Sequence, residues 1–117
     1  MTDAYDFFQQ GRTHLQQGMA AQATVALEKA KRLEPAKASI REALGIAYFR
    51  IQRWSEAEAE FRAVLEISPA DDYAHYALGR ALEKQGRDVE ANGHFKLASS
   101  LSPSSEHYAE RIKDLDG

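Results

Sequence analysis

The sequence of 117 residues contains no cysteine, which removes disulfides, thiolate metal sites and thiol nucleophiles from consideration. It has no apolar run approaching the roughly 18 residues that a membrane-spanning helix needs, so no membrane contact is expected. Basic charge is in short supply. Fifteen Lys and Arg stand against 18 Asp and Glu, for a formal net charge of -3, and this is not the electrostatic footprint of a nucleic-acid binder. Catalytic spacings are also missing: there is no His-Glu-x-x-His, no glycine-rich phosphate loop and no nucleophile elbow. Neither an enzyme, a cofactor nor a metal site is expected. The stretch Met1-Thr2-Asp3-Ala4-Tyr5-Asp6 is acidic where a secretory signal would be basic, so a cytoplasmic location is expected.

What the sequence does have is a period. Gly11, Gly45 and Gly79 are 34 residues apart, as are Pro35, Pro69 and Pro103, and Ala23, Ala57 and Ala91. Three further columns stay in phase: Leu27, Phe61 and Phe95; Ala30, Val64 and Ala98; Leu33, Ile67 and Leu101. Each unit reads as two helices. Leu44, Ala47, Tyr48 and Ile51 recur at helical spacing, a turn follows at Gln52-Arg53-Trp54, and a second helix stops before Pro69. Ser55-Glu56-Ala57-Glu58 has the form of a capping box for that second helix. Gly18 and Gly86 fill the turn in the outer units, where a left-handed residue is cheap for glycine, and Gln52 in the middle unit is expected to be strained. The small glycine and alanine columns are expected to let paired helices approach closely.

The period, the Leu44-Gly45-x-x-Tyr48 segment, the Ala and Phe columns and the closing proline resemble the tetratricopeptide repeat, in three copies at 4–37, 38–71 and 72–105. The resemblance implies an all-α, right-handed superhelical solenoid of helix-turn-helix repeats, the whole of 1–117 forming one domain. Two columns depart from the family pattern. The usual tryptophan is Phe7, Arg41 and His75, and the usual tyrosine is His14, Tyr48 and Leu82. After the third proline, Ser104-Ser105-Glu106 starts a capping helix at about 105–115 with Tyr108, Ile112 and Leu115 on one face, giving seven helices. His14 and His75 are read as packing residues, His94 and His107 as outer-surface residues, and Glu56, Glu58 and Glu60 as a solvated convex face. Asn92-Gly93, a turn signal inside a helix, is read as a weak point of that helix.

In such a solenoid the first helix of each repeat lines the concave surface. The face not used for the core carries Tyr5, Phe8 and Arg12, then Phe49 and Arg50, then Tyr73, Tyr76 and Arg80. Arginine with aromatics is the composition of binding hot spots. These residues therefore form the candidate peptide-binding groove, although the rings have two uses open to them, ligand contact and interhelix packing. The family's carboxylate clamp, which takes chaperone tails, falls on columns that hold Phe8, Arg12, Ala43, Tyr73 and Ala77 here, so the clamp is expected to be absent. The expected function is a non-catalytic adaptor or scaffold for an acidic, partly apolar segment of a protein partner. A self-association module forming a homo-oligomer is the alternative.

Overall fold

In the computed structural model, which describes residues 2–115, all regular structure is α-helical. Seven helices occur among the described residues: α1 (Ala4–Gln16), α2 (Ala20–Leu33), α3 (Ala38–Arg50), α4 (Trp54–Ile67), α5 (Asp72–Lys84), α6 (Asp88–Leu101) and α7 (Glu106–Ala109). The first helix of each unit packs on the second, and α2 on α3 and α4 on α5 join successive units. The result is an elongated solenoid of 56 × 24 × 21 Å.

The pairs within a repeat are held at the glycine column. A Cβ at Gly45 would lie 2.8 Å from the Phe61 ring, and one at Gly79 would lie 2.6 Å from Phe95. Gly11 faces Leu27 in the same way. Phe61, Phe95 and Leu27 are fully buried, so the close approach is filled by large apolar side chains. Ala23, Ala57 and Ala91 on the second helices complete it.

The turn inside each repeat has one recipe. Gly18 and Gly86 take φ of 74° and 77°, and Gln52 adopts the same left-handed conformation at 63°. The next residue then donates its N–H back five residues, Met19 to the His14 carbonyl, Arg53 to Tyr48 and Arg87 to Leu82, at 2.8, 2.9 and 3.0 Å. This is the 6→1 bond of a glycine-terminated helix. The same turn explains why the expected capping box does not form. The helix begins at Trp54 with Arg53 as N-cap and no side-chain cap, as α2 and α6 do after Met19 and Arg87. Ser55 is already inside the helix, and Glu58 turns instead to Arg62, Gln85 and Arg87.

The start of α7 keeps the phase of α1, α3 and α5, since Asp3, Lys37, Asp71 and Ser105 are the N-caps of the four. The expected helix over 105–115 is nevertheless only four residues long. Beyond it the Lys113 N–H donates to Asn92 Oδ1 at 2.7 Å, and Asn92 Nδ2 donates to the Lys113 carbonyl at 2.9 Å. That two-point bond takes the N–H a helix would need, and it holds the segment against α6. Arg111 and Lys113 both reach Glu83 at 2.9 Å. Tyr108 and Ile112 cover the core as expected, whereas Leu115 stays exposed. Asn92 is thus a buried clamp within an unbroken helix rather than its weak point.

Two substitutions should move stability in opposite directions. Gly45→Ala presses a Cβ into the buried Phe61 ring and should cost about 1–3 kcal/mol. Gln52→Gly removes a left-handed non-glycine residue and should gain about 0.5–1 kcal/mol after the entropy that glycine loses. Urea denaturation of the two variants beside the parent measures both.

Candidate functional site

The eight candidate groove residues divide between two clefts. Phe49 and Arg50 from α3 meet Tyr73, Tyr76 and Arg80 from α5 around a space of about 300 Å³, with Ile46, Ala77 and Phe61 completing the lining. Tyr5, Phe8 and Arg12 border a separate cleft of about 230 Å³, with Gln9, Glu34, Lys37 and Ile40 among its neighbours. The column of Arg12 and Arg80 holds Ile46 in the middle repeat, and Ile46 packs on the core and lines the larger cleft.

Phe61 is the residue that helical spacing on the first helices could not reveal. It belongs to α4, and it reaches the floor of the larger cleft because Gly45 above it has no side chain. Its ring meets Tyr73 edge to face at 6.5 Å. On the opposite wall Phe49 is braced edge-on by Trp54 at 4.8 Å. The Arg80 guanidinium lies over the Phe49 ring at 4.8 Å, and its Nε is buried with no hydrogen-bond partner. Arg50 donates to the Leu15 carbonyl at 2.9 Å and so ties α3 to α1, while Arg12 sits over Phe8 at 5.6 Å.

Most arginines outside the groove are ion-paired, Arg32 on α2 being an exception among the described residues. Arg41, Arg53, Arg62, Arg87 and Arg111 each hold a carboxylate. Arg12, Arg50 and Arg80 form no ion pair among the described residues. Glu42 acts on Tyr73 of the larger cleft, and its own carboxyl is pushed above its ordinary range, first by burial and then by the charge of Asp71. Burial likewise raises the Tyr73 hydroxyl, with Glu42 and Tyr76 adding to the shift and Arg50 and Arg80 opposing it.

Several sequence expectations change here. Tyr76 is only 6% exposed and is ringed by Tyr73, Phe95, His107 and Tyr108, so it is as much core as cleft lining. The glutamates at 56, 58 and 60 are not a solvated face. Glu60 is 5% exposed and is held by Lys31 at 2.9 Å and Arg41 at 3.0 Å. Glu58 is largely covered and bound to Arg62 and Arg87, and Glu56 pairs with Arg53. His75 is buried as expected, His14 is half-buried, and His94 is half-buried against His75 rather than outward. No helix among the described residues is long and apolar enough to cross a membrane.

The Glu42 environment gives a pH signature. Between its ordinary 4.5 and its raised folded value, the folded protein keeps a proton that the unfolded chain has released, so stability falls as pH rises through that window. Glu42→Gln should therefore raise stability at neutral pH and lose that advantage below 4.5. Denaturant midpoints at the two pH values provide the measurement.

Comparison with known proteins agrees with this architecture. Over 72 residues, 57% of the chain, the sequence is 39% identical to the protein O-mannosyl-transferase Tmtc2 of Drosophila melanogaster, of which it covers 8%. The chain thus spans less than a tenth of that relative. The first TPR of Spaghetti (RPAP3), bound to the HSP90 peptide SRMEEVD, has a TM-score of 0.89 and 18% identity, covering 94% of this chain and 87% of that one. YrrB, described as a TPR protein with an unusual peptide-binding site, has a TM-score of 0.90 and 20% identity, covering 94% of this chain and 57% of its own. Residues 8–72 match the family profile described as tetratricopeptide repeat, and with more than half of its length matched the chain belongs to the tetratricopeptide repeat family.

Proposed function

We propose that the protein is a non-catalytic binding scaffold whose concave groove takes an acidic, partly apolar segment of another protein. One observation carries this reading: the arginines of the groove, Arg12, Arg50 and Arg80, form no ion pair among the described residues, while of the arginines elsewhere Arg41, Arg53, Arg62, Arg87 and Arg111 each do and Arg32 does not. An acidic protein that leaves three guanidinium groups without an ion pair, Arg50 being held only by the Leu15 carbonyl, offers charge-assisted bonds to an incoming carboxylate. The clefts supply the apolar part. About 300 Å³ lined by Phe49, Phe61, Tyr73 and Ile46 accommodates one or two large side chains of a ligand.

The peptide bound by the first TPR of Spaghetti is itself acidic, which supports the same class of ligand on this fold. The recognition chemistry proposed here differs from the family's clamp of lysine and asparagine. Its columns are occupied by Phe8, Arg12, Ala43, Tyr73 and Ala77, so carboxylate contacts fall to Arg12, Arg50 and Arg80. Two clefts on one surface imply two anchor points on the ligand, with the stronger at the larger cleft.

The test starts from a partner isolated by pull-down from the native source and reduced to its binding segment. Arg80→Ala should weaken binding by about thirtyfold, the effect of losing an anchor of about 2 kcal/mol. Arg12→Ala, in the other cleft, should weaken it less and add independently to the Arg80 effect. Melting temperatures of the two variants should stay near the parent's, whereas Tyr76→Ala is unsuitable because its ring fills the core. Retention of the partner by both arginine variants, with release by Glu56→Lys on the outer face, would overturn the groove reading. Concentration-dependent sedimentation of the pure protein would redirect it to self-association.

A further inference from the structure

The second and third repeats solve the same buried position with different chemistry. In the second, Arg41 Nε donates to the Pro35 carbonyl at 2.8 Å and Arg41 Nη1 donates to Glu60 Oε1 at 3.0 Å. Thirty-four residues on, His75 stands for Arg41, Pro69 for Pro35 and His94 for Glu60. His75 Nε2 lies 3.0 Å from the Pro69 carbonyl, and His75 Nδ1 lies 3.1 Å from His94 Nδ1. The rings face each other at 5.3 Å with 21° between their planes.

The network assigns the protons. A carbonyl only accepts, so His75 Nε2 carries hydrogen, and in a neutral ring its Nδ1 is then a lone pair. His94 Nδ1 must be the donor that meets it. One further proton has two places to go, and neither suits the fold. On His75 Nδ1 it sets two N–H groups against each other across 3.1 Å. On His94 Nε2 it charges a half-buried ring.

We infer that the His75–His94 contact is an acid-released latch that lets α5 part from α6 in mildly acidic solution, while Arg41 and Glu60 keep α3 on α4. The surrounding charges reinforce this behaviour. His94 titrates below its ordinary 6.5, first because it is buried, then because of His75 and the Arg62 cation on α4; Glu90 on α6 opposes the shift. Glu90 is itself committed to Arg62 and Arg87. From α7, His107 packs on Tyr76 at 4.9 Å. With the folded value depressed, the stability this pair contributes is present above 6.5 and lost as pH falls below it, because the unfolded chain takes the proton first. In the second repeat Arg41 and Glu60 stand in place of the two histidines. Since α5 carries Tyr73, Tyr76 and Arg80, opening the latch would loosen one wall of the larger cleft, but the inference stands on the helix pair and not on any ligand.

Amide hydrogen exchange of the full chain at about pH 7.5 and about pH 5.5 tests it, these values bracketing the histidine range. After correction for intrinsic exchange, protection in α5 and α6 should fall relative to α3 and α4 between the two pH values by up to about tenfold, the limit for one proton over the single unit below the ordinary histidine value. His94→Gln should abolish that extra loss, because its amide still donates to His75 Nδ1 and takes up no proton. Should His94→Gln fold poorly, the double variant His75→Arg/His94→Glu installs the second repeat's pair and should abolish it equally. Equal loss of protection in both helix pairs of the parent, or persistence of the extra loss in a folded variant, would overturn the latch.

Discussion

The closeness of the two helices in each repeat, available only because Gly11, Gly45 and Gly79 carry no Cβ, fixes the geometry of everything outside it. With a side chain at those positions, Leu27, Phe61 and Phe95 would be driven out of the seats they fill. Interiors packed at crystal-like density do not absorb such a shift locally. The same vacancy also opens the core toward the concave side. Phe61 passes beneath Gly45 to floor the larger cleft, so one missing atom group both closes the repeat and exposes an aromatic surface to the groove. Core and groove are not separate designs in this chain.

The repeat was legible in the sequence because its constraints are single-residue ones. A glycine for close approach, a left-handed turn residue and a proline after the second helix each leave a mark at a fixed interval, and the helix boundaries follow. Helical spacing alone likewise places Arg50, Tyr73 and Arg80 on one surface, and the three line a common cleft. What could not be read depends on pairs. Three glutamates at alternate positions on an amphipathic helix look solvated, and only the arrival of Lys31 and Arg41 from two other helices makes Glu60 a buried ion-pair centre. Arg41 was visible as a departure from the family's aromatic column, but what it meets was not. Asn92 hid in the same manner, because its partner is a backbone group 21 residues away. Tyr76 is shared between cleft and core because Tyr108, in the segment after Pro103, packs on it. The Ser55 capping box failed for a local reason, the backbone bond from Arg53 to Tyr48 having set the helix start two residues earlier.

Polar contacts between neighbours are therefore not repeated along the solenoid as the apolar ones are. The glycine, alanine and aromatic columns recur within every unit, and taken alone they leave the order of units unspecified. The polar columns differ at every step. Lys31 has Leu65 and Ser99 as its counterparts, and Glu60 has Ala26 and His94.

Glu60 consequently acts as an address. It is neutralised only when a unit presenting Lys31 precedes it and Arg41 stands beside it, and a buried carboxylate without such partners is strongly disfavoured. At the next junction Glu58, largely covered, meets Arg87, and the exposed Glu90 meets Arg62. A chain with its units shuffled or duplicated would keep its hydrophobic columns in phase and still strand these charges at the seams. The sequence thus encodes a direction and an order as well as a shape, and these three units are not interchangeable building blocks.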